Sequence, residues 1–262
     1  MNQINRTAIV TGASRAAGIG AALTETLAGA GINTFITYYR PYDAMMPWGS
    51  NDDEVQQLVG RVRALGVGVE ALEVDLADIT APKLLFDAAE AAFGPVDILI
   101  NNATHSERDG IENLTAATLD RHYAVNVRGM ALLCAEFARR FQPRTDGGKA
   151  VENSGRIINL SSGQGVGPMP GELAYVATKG AVEAFTVTLS AELAPKGITV
   201  NAVDPGITDT GWITPALMTE FLPHMPYGRV GEPEDVARLI GFLVSDEGRW
   251  ITGQLLHSRG GR

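Results

Sequence analysis

Cysteine is almost absent from this 262-residue chain, whose single thiol belongs to Cys134. One thiol cannot form an internal disulfide, and no set of cysteines and histidines has the spacing of a metal site. The sequence therefore predicts neither a disulfide framework nor a metal centre. Cys134 lies in a short apolar run of a predicted helix and is expected in the core.

Long apolar runs and an excess of basic residues are also missing. No run of eighteen apolar residues occurs, and the N-terminal residues lack the apolar region of a signal peptide, so we expect a cytoplasmic protein without a membrane span. Lysine and arginine number 21 against 30 acidic residues, which gives a net charge of −9. This balance argues against a nucleic-acid surface but allows a local basic pocket for a phosphate.

Apolar, β-branched runs alternate with helical patterns along the whole chain. Such alternation predicts an α/β fold with a Rossmann-type, doubly wound, mainly parallel seven-stranded sheet and helices on both faces. No linker and no repeat divides the chain, so we predict one domain over residues 1–262. The predicted strands are Thr7–Val10, Asn33–Thr37, Gly68–Val74, Ile98–Asn101, Arg156–Leu160, Thr199–Val203 and Gln254–His257. The predicted helices are Ala21–Ala30, Asp52–Leu65, Pro82–Phe93, Thr118–Phe141, Leu173–Ala194 and Pro233–Val244.

Three segments interrupt this alternation and are predicted to be irregular. Arg40–Asn51 is rich in proline, methionine and aromatic residues, and Gln142–Ser154 is polar and is expected to be a surface loop. Ile207–Gly228 mixes large apolar residues with three prolines. Two interpretations of this last segment stay open, a mobile lid over a pocket and a packed interface helix.

A glycine-rich turn follows the first predicted strand, from Thr11 to Gly20. Glycines between a strand and a helix N-terminus let backbone N–H groups and the helix dipole meet a pyrophosphate. The spacing is not the usual G-x-G-x-x-G, but the position after the first strand of an alternating chain indicates dinucleotide binding.

Tyr175 and Lys179 stand four residues apart on a predicted helix, and Ser162 precedes the tyrosine by thirteen residues. Residues four apart share one helix face. A neighbouring cation stabilises a phenolate and is expected to lower the tyrosine pKa. A tyrosine whose pKa is lowered in this way can exchange a proton with a carbonyl or alcohol oxygen. A serine hydroxyl can hold that oxygen through a hydrogen bond.

With these motifs the chain resembles the short-chain dehydrogenase/reductase family, in its single-domain branch, and in particular members like 3-oxoacyl-carrier-protein reductases. The resemblance covers nearly the whole sequence. It includes Thr11-Gly12, Gly18-Ile19-Gly20, Asp75, Asn101-Asn102-Ala103-Thr104, Asn126, the Ser162–Tyr175–Lys179 set, Asn201–Gly206 and Trp250–Gln254.

Two positions depart from the family's pattern. Ala16-Ala17 are interpreted as a two-residue insertion before Gly18-Ile19-Gly20, although Ala16 in place of the middle glycine also fits. The phosphate contacts of this turn are therefore open. Thr104 replaces the last glycine of the family's Asn-Asn-Ala-Gly, which adds a side chain beside the cofactor.

The resemblance implies a dinucleotide across the carboxyl ends of the strands, where the strand order reverses. Asp75 would hold the adenine amino group, Asn102 would lie beside the adenine ribose, and Pro205 to Thr210 would flank the nicotinamide. The full implied cofactor set is Gly12, Ser14, Arg15, Gly18, Ile19, Gly20, Tyr39, Arg40, Asp75, Leu76, Asn102, Ala103, Thr104, Tyr175, Lys179, Pro205, Gly206, Thr208 and Thr210.

NADP(H) is favoured over NAD(H), which stays possible. In NAD-specific relatives a carboxylate at the end of the second strand binds the ribose and repels a 2′-phosphate. That position is Tyr38 here, followed by Tyr39 and Arg40. Arg15 stands where NADP-using relatives carry a base, and a guanidinium can bind a phosphate through two hydrogen bonds.

The resemblance also implies the catalytic roles. Tyr175 would be the general acid in reduction, Ser162 would hold the carbonyl oxygen, and Lys179 would lower the tyrosine pKa and bind the nicotinamide ribose. Asn126 would position a backbone kink and a water near Lys179. Ser161 is the weaker serine candidate, because the thirteen-residue spacing fits Ser162.

The leading hypothesis is an NADP(H)-dependent carbonyl reductase that acts on a small molecule and, by resemblance, forms a homotetramer. An alcohol or sugar dehydrogenase working toward oxidation is the alternative, and a catalytically silent dinucleotide sensor is the third. His105 could face the substrate or could be a packed or surface residue. For the other histidines, His122, His224 and His257, the sequence shows no residues that would form a functional group with them.

Overall fold

The computed structural model describes residues 6–146, 149–150 and 154–261. Its strands are β1 (Thr7–Val10), β2 (Asn33–Tyr38), β3 (Val69–Glu73), β4 (Ile98–Asn101), β5 (Thr145–Asp146), β6 (Lys149–Ala150), β7 (Gly155–Leu160), β8 (Ile198–Asp204) and β9 (Leu255–His257). Its α-helices are α1 (Ile19–Gly29), α2 (Arg40–Met45), α3 (Asp52–Arg63), α4 (Ala81–Phe93), α5 (Ala116–Tyr123), α6 (Met130–Arg140), α7 (Leu173–Leu193), α8 (Pro215–Phe221) and α9 (Pro233–Val244).

Seven strands form one sheet in the order β3-β2-β1-β4-β7-β8-β9, and each pairing between these neighbours is parallel. The order reverses between β1 and β4, where the chain crosses from one half of the sheet to the other. In such sheets the loops at the carboxyl ends diverge at the reversal and open a crevice. The predicted Rossmann-type fold is confirmed.

The central strands β1, β4, β7 and β8 are buried along their whole length. Ala8 and Val10 of β1 pack in a core with α1, α3 and α9, whereas Ile9 packs in a second core with α4, α6 and α7. Successive side chains of a strand point to opposite faces, so one strand supplies both cores. Cys134 is fully buried in the second core, as predicted.

Two helices lie where the sequence predicts irregular structure. α2 begins after Tyr39 with Pro41 in its first turn, and α8 begins after Thr214, whose hydroxyl accepts a hydrogen bond from Leu217 N at 3.3 Å. Proline in the first turn and a threonine cap are ordinary helix-start signals. These signals do not predict a helix by themselves, because both helices are too short, with six and seven residues, to show a helical pattern of apolar residues.

The polar segment after α6 was predicted to be a surface loop. Its described part forms a two-stranded antiparallel hairpin in which Thr145 pairs with Ala150 and Asp146 with Lys149. Residues 147–148 and 151–153 of this segment, and the N-terminal residues 1–5, lie outside the described residues.

The predicted helix Thr118–Phe141 is interrupted. α5 and α6 are joined by a π-helical turn, Ala124–Gly129, which carries Asn126. π-helical turns inside helices recur at functional sites. None of the helices in the described part of the chain combines the length and apolar character that crossing a bilayer requires.

Candidate active site

A cavity of about 2060 Å³ opens at the carboxyl ends of the strands, on both sides of the point where the strand order reverses. The loops that follow β1, β2, β3, β4, β7 and β8 line it. A cavity at this place in a parallel sheet is the expected binding site of the fold.

The glycine-rich loop between β1 and α1 forms one end of the cavity. Gly18 N donates to Arg15 O at 3.0 Å, which closes a turn that leaves Ala16 and Ala17 exposed. Gly18 then caps α1, and a Cβ on Gly20 would lie 2.3 Å from Gly12 O. The alanines thus bulge outward and Gly18–Gly20 keep the helix against the loop, which supports the insertion interpretation.

Asn102 holds this loop in place. Its Nδ2 donates to Thr11 O at 2.8 Å and to Gly12 O at 2.9 Å, while the Thr11 hydroxyl accepts from the backbone N–H groups of Asn102 and Ala103 at 3.0 Å. Gly12 has a φ of +74°, and a Cβ there would lie 2.7 Å from Ala103 Cα. Asn102 therefore joins the loops after β1 and β4 into one rigid wall.

The residues present fit a dinucleotide. No side chain caps the N-terminus of α1, so its first amides are available to a phosphate next to the cavity-lining Gly12, Ser14 and Gly18. Of the other implied cofactor residues, the structure brings these to the cavity wall: Arg15, Ile19, Tyr39, Asp75, Leu76, Asn102, Ala103, Thr104, Tyr175, Pro205, Gly206, Thr208 and Thr210. Gly20 and Lys179 are buried behind that wall.

Arg15 reaches the cavity from the turn after β1. Its guanidinium lies 4.1 Å from the ring centroid of Trp48 and donates to Thr210 O at 2.7 Å. Burial lowers the arginine pKa, while Asp43 and Glu54 oppose that shift. Arg15 thus joins the loop after β1, the segment after α2 and the loop after β8.

Arg40 does not come to the cavity, although it was a candidate for the 2′-phosphate. Its guanidinium pairs with both carboxylate oxygens of Glu73 on β3 and lies 5.7 Å from the ring centroid of Tyr38. The pairing follows from strand register, since Tyr38 at the end of β2 lies beside Glu73. Tyr39 does line the cavity. Burial raises the pKa of Tyr39, and the nearby carboxylate of Asp75 adds to this rise.

Ser162 and Tyr175 line the cavity, and Lys179 is buried behind them. Ser162 follows β7, the other two lie on the first turns of α7, and Ser162 is near enough to Tyr175 to act on its pKa. Lys179 Nζ lies 5.5 Å from the Tyr175 ring centroid and donates to Leu160 O at 2.7 Å. Ser161 instead donates to Glu183 Oε1 at 2.6 Å, which leaves Ser162 as the serine of this group.

The pKa of Tyr175 is raised, whereas the sequence predicted that it would be lowered. Burial raises it to about 12, and the Ser162 hydroxyl acts against this rise. The nearby Glu172, Tyr42 and Asp204 add to the rise. Burial also lowers the pKa of Lys179 to about 8. Desolvation therefore outweighs the attraction of the ammonium, and Tyr175 is a protonated phenol at neutral pH.

Asn126 is 3% exposed and connects the loop after β4 with α7. Its Oδ1 accepts from His105 N at 2.7 Å and from the Thr104 hydroxyl at 3.1 Å, and its Nδ2 donates to His105 O and Thr178 Oγ1. Thr104, the departure from the family's glycine, thus supplies one of the four hydrogen bonds that fix the Asn126 amide.

Aromatic residues that the sequence did not predict complete the wall. Tyr42 of α2 donates to Ser106 O at 3.2 Å, and its ring centroid lies 5.3 Å from that of His105. His105 is buried and packs edge-on against His122, and its Nε2 lies 2.9 Å from Glu107 Oε1. His105 is therefore packed and also lines the cavity. His122 and His257 do have partners: the ring of His122 contacts that of His105, and His257 Nδ1 lies 2.9 Å from Asp204 Oδ2.

Two further segments line the cavity. One is the loop after Ser162, and the other contains α8 and Trp212, whose Nε1 donates to Thr208 O at 2.9 Å. Trp212 also packs against Phe221, with ring centroids 6.0 Å apart. The second segment lines the cavity, which both interpretations of residues 207–228 allow.

The sequence and fold match known proteins over almost their whole length. A family model described as Enoyl-(Acyl carrier protein) reductase matches residues 12–262. The uncharacterized oxidoreductase YjdA of Bacillus subtilis is 48% identical over 254 residues, 97% of this chain and 95% of that protein. The 3-oxoacyl-[acyl-carrier-protein] reductase FabG of Staphylococcus aureus is 33% identical over 262 residues, 99% of this chain and 98% of that protein.

Among solved structures, a short-chain dehydrogenase of Burkholderia cenocepacia in complex with NADP superimposes with a TM-score of 0.85. It is 33% identical, and the match covers 99% of this chain and 98% of that one. The chain belongs to the short-chain dehydrogenase/reductase family. As a member of this family it is an oxidoreductase that uses a nicotinamide dinucleotide and acts on a small molecule.

Proposed function

We propose that this short-chain dehydrogenase/reductase reduces a ketone to a secondary alcohol with NADPH, and that Tyr175 is the general acid. The observation that carries the proposal is that Tyr175 and Ser162 line the cavity together, with the Tyr175 hydroxyl protonated because its pKa is raised to about 12. A phenol that holds its proton at neutral pH is in the form that reduction requires, whereas oxidation requires the phenolate.

The roles of the side chains follow from their positions. The nicotinamide, when bound, supplies the hydride. The Ser162 hydroxyl holds the carbonyl oxygen, and the Tyr175 hydroxyl donates its proton to that oxygen as negative charge develops there. The charge of Lys179 and the hydrogen bond from Ser162 stabilise the phenolate that remains. Asn126 acts by holding the loop after β4 against α7.

Preference for NADPH is supported by the charge at the adenosine end of the cavity. Tyr38 and Tyr39 stand at the end of β2, where a carboxylate would repel a 2′-phosphate. Arg15 lines the cavity beside them, stacked on Trp48. The Burkholderia cenocepacia relative that superimposes on this chain binds NADP. We also propose, from the family resemblance, that the chain is one domain and assembles as a homotetramer, which light scattering after gel filtration would test.

The test is to mix the protein with NADPH or NADH and a panel of aliphatic, aromatic and oxo-ester ketones, while nicotinamide absorbance is followed. We expect NADPH to be consumed with at least one ketone, and NADH to be consumed more slowly. Oxidation of alcohols in the absence of any ketone reduction would contradict the proposal. NADPH binding without turnover of any substrate would indicate a dinucleotide sensor instead.

A further inference from the structure

Arg259 lies at the substrate end of the cavity, in the C-terminal residues that follow β9. Its side chain is 12% exposed and lines the cavity. Nη1 donates to Asp204 Oδ2 at 2.7 Å. The Asp204 carboxylate, at the end of β8, also accepts from Gly206 N at 2.9 Å and lies 2.9 Å from His257 Nδ1. Asp204 therefore anchors the guanidinium to the sheet.

The ion pair leaves most donors of Arg259 open. Its Nε is buried without a hydrogen-bond partner among the described residues, and the Nη1 contact with Asp204 is the one hydrogen bond that the guanidinium makes there. Buried N–H groups without an acceptor are rare and costly in folded proteins. Because Nε is itself shielded from the cavity, a ligand would bind through the remaining donors of Nη1 and Nη2.

The guanidinium lies against the residue that follows Ser162. A Cβ on Gly163 would come within 2.5 Å of Nη1 and 3.4 Å of Nη2 of Arg259, and a Cβ on Gly206 would lie 3.0 Å from Arg259 Cγ. Glycine at both positions lets this side chain approach. The open donors are thus next to the serine that is proposed to hold the carbonyl oxygen.

Two other arginines of the cavity wall have their hydrogen bonds elsewhere. Arg121 donates to both carboxylate oxygens of Glu107 at 3.0 and 2.8 Å, and Arg128 donates to Ala77 O at 2.6 Å. Arg108 also lines the cavity, from the loop after β4. Arg259 differs from these because it combines a fixed position beside Ser162 with unused donors.

We propose that Arg259 binds a carboxylate of the substrate, and that the substrate is an oxo acid. The inference rests on the proposed reductase function and adds the substrate class. A planar guanidinium matches a carboxylate through parallel hydrogen bonds. Asp204 fixes its orientation and balances its charge when no substrate is bound.

The experiment compares acids with their neutral esters in the intact protein. kcat/KM is measured with NADPH for acetoacetate and methyl acetoacetate, and for pyruvate and methyl pyruvate. The variants are Arg259→Gln and, as a matched control, Arg108→Gln, which removes a charge from the loop after β4 in the wall of the same cavity. We expect Arg259→Gln to lower the acid-to-ester ratio at least tenfold, with ester turnover changed less than threefold. Arg108→Gln should leave the ratio within threefold.

Arg259→Gln leaves the buried Asp204 with fewer partners, so Asp204→Asn/Arg259→Gln is measured as well, because it removes both charges and keeps the site neutral. The double variant should show the same loss of acid preference. An acid-to-ester ratio that both variants retain, or that Arg108→Gln lowers equally, overturns the proposal. So does a loss of NADPH affinity in Arg259→Gln as large as the loss of acid turnover, since Arg259 would then serve the cofactor.

A binding measurement separates this inference from the reductase function. Calorimetry with the NADPH-saturated protein compares 3-hydroxybutyrate with its methyl ester, neither of which NADPH can reduce. We expect the acid to bind at least tenfold more tightly in the wild type and no more tightly than the ester in Arg259→Gln. If no ketone is reduced but this difference is present, the reductase proposal fails and the role of Arg259 stands. Equal binding of acid and ester by the wild type overturns the role of Arg259.

Discussion

Ser162 acts on the phenol of Tyr175, although one residue follows β7 and the other lies in the first turn of α7. Ser162 favours the phenolate, and burial opposes it with the larger effect, so that the pKa of Tyr175 rises to about 12. A substrate carbonyl that reaches both hydroxyls would meet one hydrogen-bond donor and one protonated acid.

Replacing Tyr175 with phenylalanine removes the proton donor and little volume. We expect Tyr175→Phe to lower kcat for ketone reduction by about 10²- to 10⁴-fold, the usual contribution of a general acid. The Kd for NADPH, measured by fluorescence titration, should change less than threefold. Retention of more than a tenth of the wild-type kcat would assign the proton transfer to another group.

Arg15 and Arg40 were both candidates for binding the 2′-phosphate in the sequence, and the structure distinguishes them. Arg15 lines the cavity, whereas Arg40 pairs with Glu73. Charge-assisted contacts contribute about 1.5–3 kcal/mol, so Arg15→Ala should reduce kcat/KM for NADPH by about tenfold or more while that for NADH changes little. Arg40→Ala is the matched control and should leave the NADPH-to-NADH ratio within threefold. Equal losses in both variants, or in neither, would place recognition of the 2′-phosphate elsewhere.

The fold could be predicted from the sequence because its signals are long and repeated. The central strands of the main sheet are largely apolar runs, and each predicted strand of that sheet lies within two residues of an observed one. The short helix α2 could not be predicted, and a helix in the segment that contains α8 was one of two interpretations, since tertiary contacts stabilise both helices. Tyr42 of α2 bonds to Ser106, and α8 presents Phe221 to Trp212.

The candidate site was predictable only where a motif carried it. Ser162, Tyr175 and Lys179 have a fixed spacing, and the structure brings them together. The stacking of Arg15 on Trp48 and the pairing of Arg259 with Asp204 join residues 33 and 55 positions apart in sequence, without any local pattern. The pKa of Tyr175 was predicted in the wrong direction, because the sequence shows the neighbouring cation and not the burial.

The close packing of the glycine loop on α1 gives a stability prediction. A Cβ at Gly20 would lie 2.3 Å from Gly12 O and 2.9 Å from Ala13 Cα, both backbone atoms that cannot move independently. Gly20→Ala should therefore destabilise the fold by about 1–3 kcal/mol, as overpacking does, and should weaken NADPH binding by displacing the helix N-terminus. Gly29→Ala is the control, because nothing lies within 4 Å of a Cβ there. Equal unfolding midpoints in denaturant for both variants would contradict the packing argument.

The buried charge of Lys179 should lower the stability of the folded protein. Its folded-state pKa of about 8 lies below the ordinary lysine value of 10.5 because the ammonium is buried. The unfolded chain therefore binds more protons between those two values, so wild-type stability should rise with pH across that window. At pH 7 the charge is present and its burial opposes folding by roughly 3 kcal/mol, from which about 1 kcal/mol is regained through the hydrogen bond to Leu160 O. Lys179→Met should raise Tm by a few degrees at pH 7, and this gain should shrink as the pH approaches 10.

The pH dependence of ketone reduction separates the two titrating groups. Tyr175 keeps its proton until far above neutral pH, since its pKa is about 12, whereas Lys179 loses its charge near its pKa of about 8. If the charge of Lys179 stabilises the phenolate left after proton transfer, kcat should be level below pH 7 and should fall as the pH rises through about 8. Lys179→Met lacks the titrating group, so its lower kcat should show no step there. The measurement is kcat from pH 6 to 10 at saturating NADPH for both proteins. A wild-type profile that stays level to pH 10, or a step that survives in Lys179→Met, would show that the charge of Lys179 does not act on the proton transfer.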